Sequence, residues 1–374
     1  MSEKHLHIVS FDIPSPPSYG GVIDVFFKIR ALQEEGVRIH LHCFEYGRSR
    51  DPALDRMCAT VNYYKRRSGT GFVFNALPYI VSTRSSAELL AKLQGDRHPV
   101  LFEGLHCCYY LQADYLPGRT RIVRSHNIEH EYYAALARVE KKFFRRSYFS
   151  RESKKLERFE KVYERADRIA AISPADAAQL ASRYTNVSCI PAFHPDEQVR
   201  VKPGRGDYAL YHGNMAVGEN NEAALFLVRN IFRGLDIPLY IAGSNPSEEL
   251  VSEAAKHAHV RLFADLSLEQ MHDMVRNAQV NILPTFQSTG IKLKLLAALH
   301  NGRHCLVNPP MVMNTGLEAL CVVRDTAQEM ADELKRLFDT PFDPAEVKKR
   351  EEILQRDFSN KANAKRLVEL IWNR

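Results

Sequence analysis

The stretch Asn281–Pro310, NILPTFQSTGIKLKLLAALHNGRHCLVNPP, decides the fold. It reads as a strand, a turn at Gly290, a helix carrying Lys292 and Lys294 in its first turns, a stop at Gly302 and a second strand. A strand–helix–strand unit of this length is a parallel crossover, the building block of an α/β sheet. Backbone N–H groups at a helix start attract anions, and two lysines there would strengthen the attraction. One reading is therefore a site for a diphosphate-bearing ligand. The other is a helix packed on its sheet with solvated lysines. The pattern alone accommodates both.

Downstream and upstream of this unit the same rhythm continues. Strands are expected at Tyr208–His212, Leu239–Ala242, Val260–Phe263, Val280–Leu283, Cys305–Val307 and Leu320–Val323, with helices at Glu222–Phe232, Ser267–Asn277 and Thr326–Phe338. Ser267 with Gln270 three residues on is a capping box. Pro344–Trp372 reads as one or two amphipathic helices anchored by Phe358 and Trp372.

The first half repeats the pattern. Leu6–Phe11 is a strand, SFDIPSPPSYGG ends in Gly20 and Gly21, Val22–Glu35 is helical and Val37–Phe44 is the next strand. This is a βαβ unit without GxGxxG or a clean acidic residue after the second strand, which disfavours a nicotinamide dinucleotide. Further strands are expected at Val61–Lys65, Val100–Glu103, Arg121–Arg124 and Asp167–Ile172, and Val187–Pro191 closes this half. His106 and His126 follow two of these strands, where polar groups line the ligand crevice of an open parallel sheet. Phe72–Ser82 is apolar around Pro78 and suits either a buried segment or an exposed lip. Glu131–Arg165 is one long helical region and the most basic part of the chain; its KKFFRRSYF suits an anionic membrane face or a plain solvated surface.

The expected division is an N-terminal domain at 1–191, a polar linker at 192–206, a second domain at 207–345 and C-terminal helices at 346–374 that cross back to the first domain. A chain of 374 residues suits two cores. Its net charge of +6 comes from 51 basic against 45 acidic residues, so no overall nucleic-acid signature appears. Seven cysteines without a CxxC read as reduced thiols of a cytosolic chain, not as a zinc site. No apolar run is long enough to span a membrane.

At HGN, TGIKLKLLAALHNG and SHNIEHEYY the chain resembles a retaining glycosyltransferase of GT-B type, in the group called family 4. PSYGG and ADRIAAISPAD extend the resemblance over nearly the whole chain. It implies two Rossmann-like domains facing across a cleft, with the nucleotide sugar on the second and the acceptor on the first. It implies that Gly20, Gly21, Gly213, Asn214, Gly290, Lys292 and Lys294 approach the donor diphosphate, and that His126 contacts the transferring sugar. Catalytic roles then fall to His126, Lys294 and Thr289. Lys292 and Lys294 project about 200° apart on a helix, so only one is in direct contact, with Lys294 favoured. The signature departs from the family pattern, since Thr289 and Ala297 replace its two glutamates. Glu103, His106, Asn127 and Glu129 are acceptor-side candidates, as hydroxyl-orienting groups or as caps and ion-pair partners.

The chemistry is coherent without a metal or other cofactor. Charge developing on a leaving diphosphate is met by lysine, backbone amides and a helix start. The expected function is hexose transfer from a UDP- or GDP-linked donor to a glycan or polyprenyl-linked acceptor, in the cytoplasm or at the inner face of its membrane. The alternative is a non-catalytic relative acting as a partner subunit.

Overall fold

The computed structural model describes residues 3–140, 142–286, 293–313 and 315–373. Thr289, Gly290 and Lys292 lie outside them, as does Lys141. The described chain divides into two compact units, 3–195 with 357–373, and 196–286 with 293–356.

The first unit holds a seven-stranded sheet of β1 (Lys4–Ser10), β2 (Val37–Glu45), β3 (Thr60–Lys65), β4 (Val100–Glu103), β5 (Arg121–Ser125), β6 (Arg168–Ala171) and β7 (Val187–Cys189). Every pair is parallel and the order is β3-β2-β1-β4-β5-β6-β7. Parallel strands are covered on both faces, which is why they read as apolar runs; Leu6, Ile8, Val9, Leu101, Phe102, Ile122 and Val123 are fully buried. The order reverses between β1 and β4, so the ligand crevice of this sheet lies beyond the ends of those two strands.

The second unit carries β8 (Ala209–His212), β9 (Leu239–Ala242), β10 (Val260–Phe263), β11 (Val280–Leu283), β12 (His304–Val307) and β13 (Val322–Val323), again all parallel, in the order β10-β9-β8-β11-β12-β13. Its reversal lies between β8 and β11. The helix after β10, Leu268–Asn277, opens with the expected Ser267–Gln270 capping box.

Three local expectations change. The basic region is not one helix: Glu129–Val139 and Phe143–Phe159 are separate, followed by a tighter 3₁₀ segment over Glu160–Arg165. Glu140 adopts an extended conformation, and its carboxylate accepts the N–H of Lys142 at 2.9 Å, which starts the second helix. The helix expected over Glu222–Phe232 begins earlier, at Gly218, and its tail from Leu227 to Ile231 widens into a π-helical turn. The apolar Phe72–Ser82 segment is mixed, with Phe74 exposed and Ile80 and Val81 buried.

Both ends of the 192–206 segment are packed. Ala192, Phe193 and His194 are buried, and Asn360 takes part at 2.7–3.1 Å in hydrogen bonds with the His194 backbone. Gly206 donates its N–H to Gln279 Oε1 at 2.7 Å in the second unit. The C-terminal region forms two helices, Pro344–Asp357 and Asn360–Trp372. The first anchors in the second unit through buried Arg350, which donates to the Gly302 and Arg303 carbonyls. The second belongs to the first unit, where Ala364, Leu367 and Ile371 join the core.

Candidate active site

In the first unit, the reversal point is floored by charge. Asp24 and Lys28 stand one turn apart on the helix Gly20–Glu34 that follows β1. Lys28 Nζ lies 2.8 Å from Asp24 Oδ2 and 2.8 Å from Glu103 Oε1, and all three side chains are fully buried. Arg124, at the end of β5, donates Nη2 to Asp24 Oδ1 at 2.8 Å and to the Pro191 carbonyl at 3.1 Å. Two carboxylates thus face two cations, and no metal is needed to balance them. Burial alone would raise the Asp24 carboxyl, but Arg124 and Lys28 outweigh it and hold the group far below its usual range. Glu103 is likewise held low, with burial opposed by Lys28 and His126.

His126 sits at the rim of this network. Its Nε2 is 2.9 Å from Glu103 Oε2 and its Nδ1 3.9 Å from Asp24 Oδ2. Glu103 is therefore a positioning residue that fixes the ring, and the ring is the part of the network nearest the surface. Phe11, just beyond β1, packs edge-on to His126 with ring centres 5.7 Å apart and lies 5.4 Å from His106. Gly21 leaves room for this ring, since a Cβ would come within 2.6 Å of Phe11 Cζ and push the ring aside. Gly20 opens the same helix, whose N-cap residue Tyr19 supplies no side-chain hydrogen bond.

His106 Nδ1 is buried without a hydrogen-bond partner among the described residues, 3.8 Å from Glu129 Oε1. Burial, then Arg84, pushes His106 well below its usual range. Burial pushes Glu129 up to about 8, with Asn127 opposing through a hydrogen bond. Glu129 is thus a protonated carboxyl at neutral pH, able to donate. Its folded pKa lies above its unfolded value, so the folded state holds a proton that the unfolded state has lost between about pH 4.5 and 8. Stability from this group falls as pH rises through that window. Glu129→Gln is expected to match the native protein near pH 4 and to exceed it at pH 8.5, in urea midpoints measured at both. A native protein that is the more stable of the two at pH 8.5 would contradict the assignment.

In the second unit, the reversal point gathers the ends of β8 and β11. Lys294 Nζ lies 2.8 Å from Asn220 Oδ1 and 3.2 Å from the Tyr211 hydroxyl, over the Tyr211 ring at 4.9 Å from its centre. Asn220 Nδ2 donates to the Asn214 carbonyl at 2.9 Å. Thr285 donates its hydroxyl to Glu219 and is clamped to Asn308 by bonds of 2.9 and 2.7 Å. Gly213 and Gly243 allow the β8 and β9 loops to touch, for a Cβ on Gly243 would fall 1.7 Å from the Gly213 carbonyl oxygen. His212 is buried, pushed down to about 3 by burial and then by Lys294, and its Nε2 has no hydrogen-bond partner among the described residues. The arrangement sets one cationic side chain and a glycine-bearing loop at the same strand ends, a geometry suited to a phosphorylated ligand.

Residues 206–340 match the family profile described as Glycosyl transferases group 1. The second unit is thus related to the group 1 glycosyl transferases, and the chain has a fold of GT-B type. The chain is 26% identical over 315 residues to an uncharacterized 44.6 kDa protein in the cps region of Klebsiella pneumoniae, covering 79% of this chain and 80% of that one. Its fold is similar to that of WaaG, a glycosyltransferase involved in lipopolysaccharide biosynthesis, with a TM-score of 0.67 at 13% identity over 99% of this chain and 100% of the other. It is similar also to the lipopolysaccharide outer core galactosyltransferase WaaB, at 0.65 and 14% over 98% and 99%.

The structure brings Glu103 and His126 into one group, His106 and Glu129 into another, and Gly213, Asn214 and Lys294 into a third. Sequence reasoning missed Asp24, Lys28, Arg124 and Tyr211. Lys28 carried a signal: it falls in the apolar stripe between Val25 and Leu32, where a charge needs a buried partner.

Proposed function

We propose that this transferase moves a hexose from a UDP- or GDP-linked donor to a hydroxyl of a cell-surface glycan or lipid-linked acceptor, with retention. The observation that carries the reading is Lys294, held by Tyr211 and Asn220 at the β8/β11 reversal. As the bond from the sugar carbon to the diphosphate oxygen breaks, negative charge grows on that oxygen, and Lys294 stabilises it. The acceptor oxygen bonds to the same carbon on the face the leaving group vacates, and its proton passes to the departing phosphate. His126, oriented by Glu103, meets the transferring sugar; His106, Asn127 and Glu129 serve the acceptor. The cps-region relative and the lipopolysaccharide enzymes support a cell-surface product.

A calorimetric screen of UDP, GDP and their sugar conjugates, with released nucleotide assayed on the same samples, tests this. Micromolar binding with slow release supports it, and absence of binding overturns it. Ala297, which has no carboxylate to offer a ribose, favours a second reading, a non-catalytic partner subunit. That reading is selected if sugar conjugates bind without release even when glycan acceptors are supplied.

We infer also a peripheral contact with an anionic membrane on its cytoplasmic side. No helix among the described residues is long and apolar enough to cross one. Phe143 and Phe144 are 67% and 86% exposed at the start of the basic helix. Beside them lies a depression of about 690 Å³ lined by Arg138, Phe143, Arg146, Arg151 and Lys154. Two cations near an anionic surface contribute about 1 kcal/mol each. Arg145→Ala with Arg146→Ala is therefore expected to lower binding to phosphatidylserine-containing vesicles by about thirtyfold in a sedimentation assay. Unchanged binding would leave this helix an ordinary surface.

A further inference from the structure

At the opposite end of the first sheet from Glu103 and His126, β1 and β2 carry four histidines on one face. His5 and His7 alternate along β1, His40 and His42 along β2, and His98 approaches from the segment before β4. The rings stack, with centres 4.6 Å apart for His5 and His98 and 5.3 Å for His5 and His40. One ring nitrogen from each of His5, His40 and His98 lies within 4.8 Å of the other two.

We propose that His5, His40 and His98 form a binding site for a divalent transition-metal ion of the zinc class. Three observations carry it. First, His5 Nδ1 and His40 Nε2 face each other at 3.0 Å. Two imidazole nitrogens bound to one tetrahedral zinc stand about 3.3 Å apart, so a small opening of the gap admits the ion in place of a shared proton. Second, the far nitrogens are already engaged. His5 Nε2 is 3.4 Å from the Glu3 carboxylate, and His40 Nδ1 is 3.0 Å from Thr60 Oγ1. Carboxylate or hydroxyl partners of this kind orient the rings of metal-binding histidines and fix which nitrogen stays open. Third, the site has a braced floor. His7 bonds at 2.8 Å to His42 and at 3.0 Å to Asp96, and His42 at 2.8 Å to the Tyr64 hydroxyl. The outer trio is half-buried and reachable by solvent, which can complete the coordination shell. Imidazole suits zinc, nickel and copper and not magnesium or calcium. The ion would tie β1, β2 and the approach to β4 together, at the end of the first sheet opposite to His126 and Glu103.

The test is calorimetric titration of the full-length, metal-stripped protein with Zn2+, repeated for His98→Gln and His5→Gln, with Co2+ absorption on the same samples. One equivalent bound at micromolar affinity or tighter, weakened at least tenfold in either variant, is the expected result. His98 lies outside the strands and His5 near the chain start, so each variant covers for misfolding of the other. Absence of native binding, equal binding by the variants, or a thiolate charge-transfer band showing cysteine ligation would each overturn the site.

Discussion

Lys294→Ala is expected to weaken nucleoside diphosphate binding by about 10- to 100-fold, the range of a hydrogen bond to a charged group. Turnover is expected to fall further, by about 10²–10³, because charge on the diphosphate peaks as the glycosidic bond breaks. The side chain projects between the Tyr211 hydroxyl at 3.2 Å and Asn220 Oδ1 at 2.8 Å. These oxygens position the ammonium at the strand ends. The contrast that matters is between ligands. A nucleoside without phosphates should bind the variant as it binds the native protein, and an equal loss for both would sink the diphosphate assignment. Lys294→Arg is not expected to restore full activity, because a planar fork replaces a compact point charge in a space shaped by the Tyr211 ring.

The second large effect is on stability. Lys28→Met is expected to destabilise the first unit by about 3–5 kcal/mol, the cost of stranding buried charge. Asp24 and Glu103 are both fully buried against the lysine, and its loss leaves them with Arg124 as the remaining full cation in the network. Urea unfolding followed by a probe in the first unit measures the change. The double variant Lys28→Met with Glu103→Gln should recover part of the loss, since the stranded charge is then gone. A double variant no better than the single one would show that Lys28 acts through packing. The linkage has a definite sign. Both carboxyls are held below their usual range, so their contribution is fully present above about pH 4, where an unfolded carboxylate is ionised. It is lost only as pH falls through the lowered folded values.

The sheets were legible because their strands are short apolar runs set between polar turns. Leu239–Ala242, Val260–Phe263 and Val280–Leu283 were read with the bounds they have. The helix break at Glu140 was not legible, because its cause is a single side chain bonding two residues ahead. The charge network was hidden for a different reason. Lys28 meets Glu103 across 75 positions and Arg124 meets Asp24 across 100, and local patterning cannot pair residues that far apart. The histidines of β1 and β2 were not singled out, because only the register His7↔His40 places them side by side. At the ends of β8 and β11, the pattern singled out Gly213 and Lys294, while Tyr211 and Thr285, which the structure sets beside them, look like ordinary strand and loop residues.

The last helix carries a consequence for synthesis. Ala364, Leu367 and Ile371 are part of the first unit's core, Phe358 accepts a hydrogen bond from His194 Nε2 at 2.9 Å, and Lys4 lies 5.7 Å from the centre of the Trp372 ring. Residues 3–195 are therefore completed by a helix made after the whole second unit. At about 5–20 residues per second, the chain from 195 to the final helix takes roughly 10–40 s to make. Through that interval the first sheet stands with an uncovered apolar strip, while the second unit, nearly contiguous in sequence, closes on its own. A nascent chain that stalls before residue 357 would expose this strip and become a substrate for chaperones, and a stop codon near residue 356 would harm the first unit more than the second.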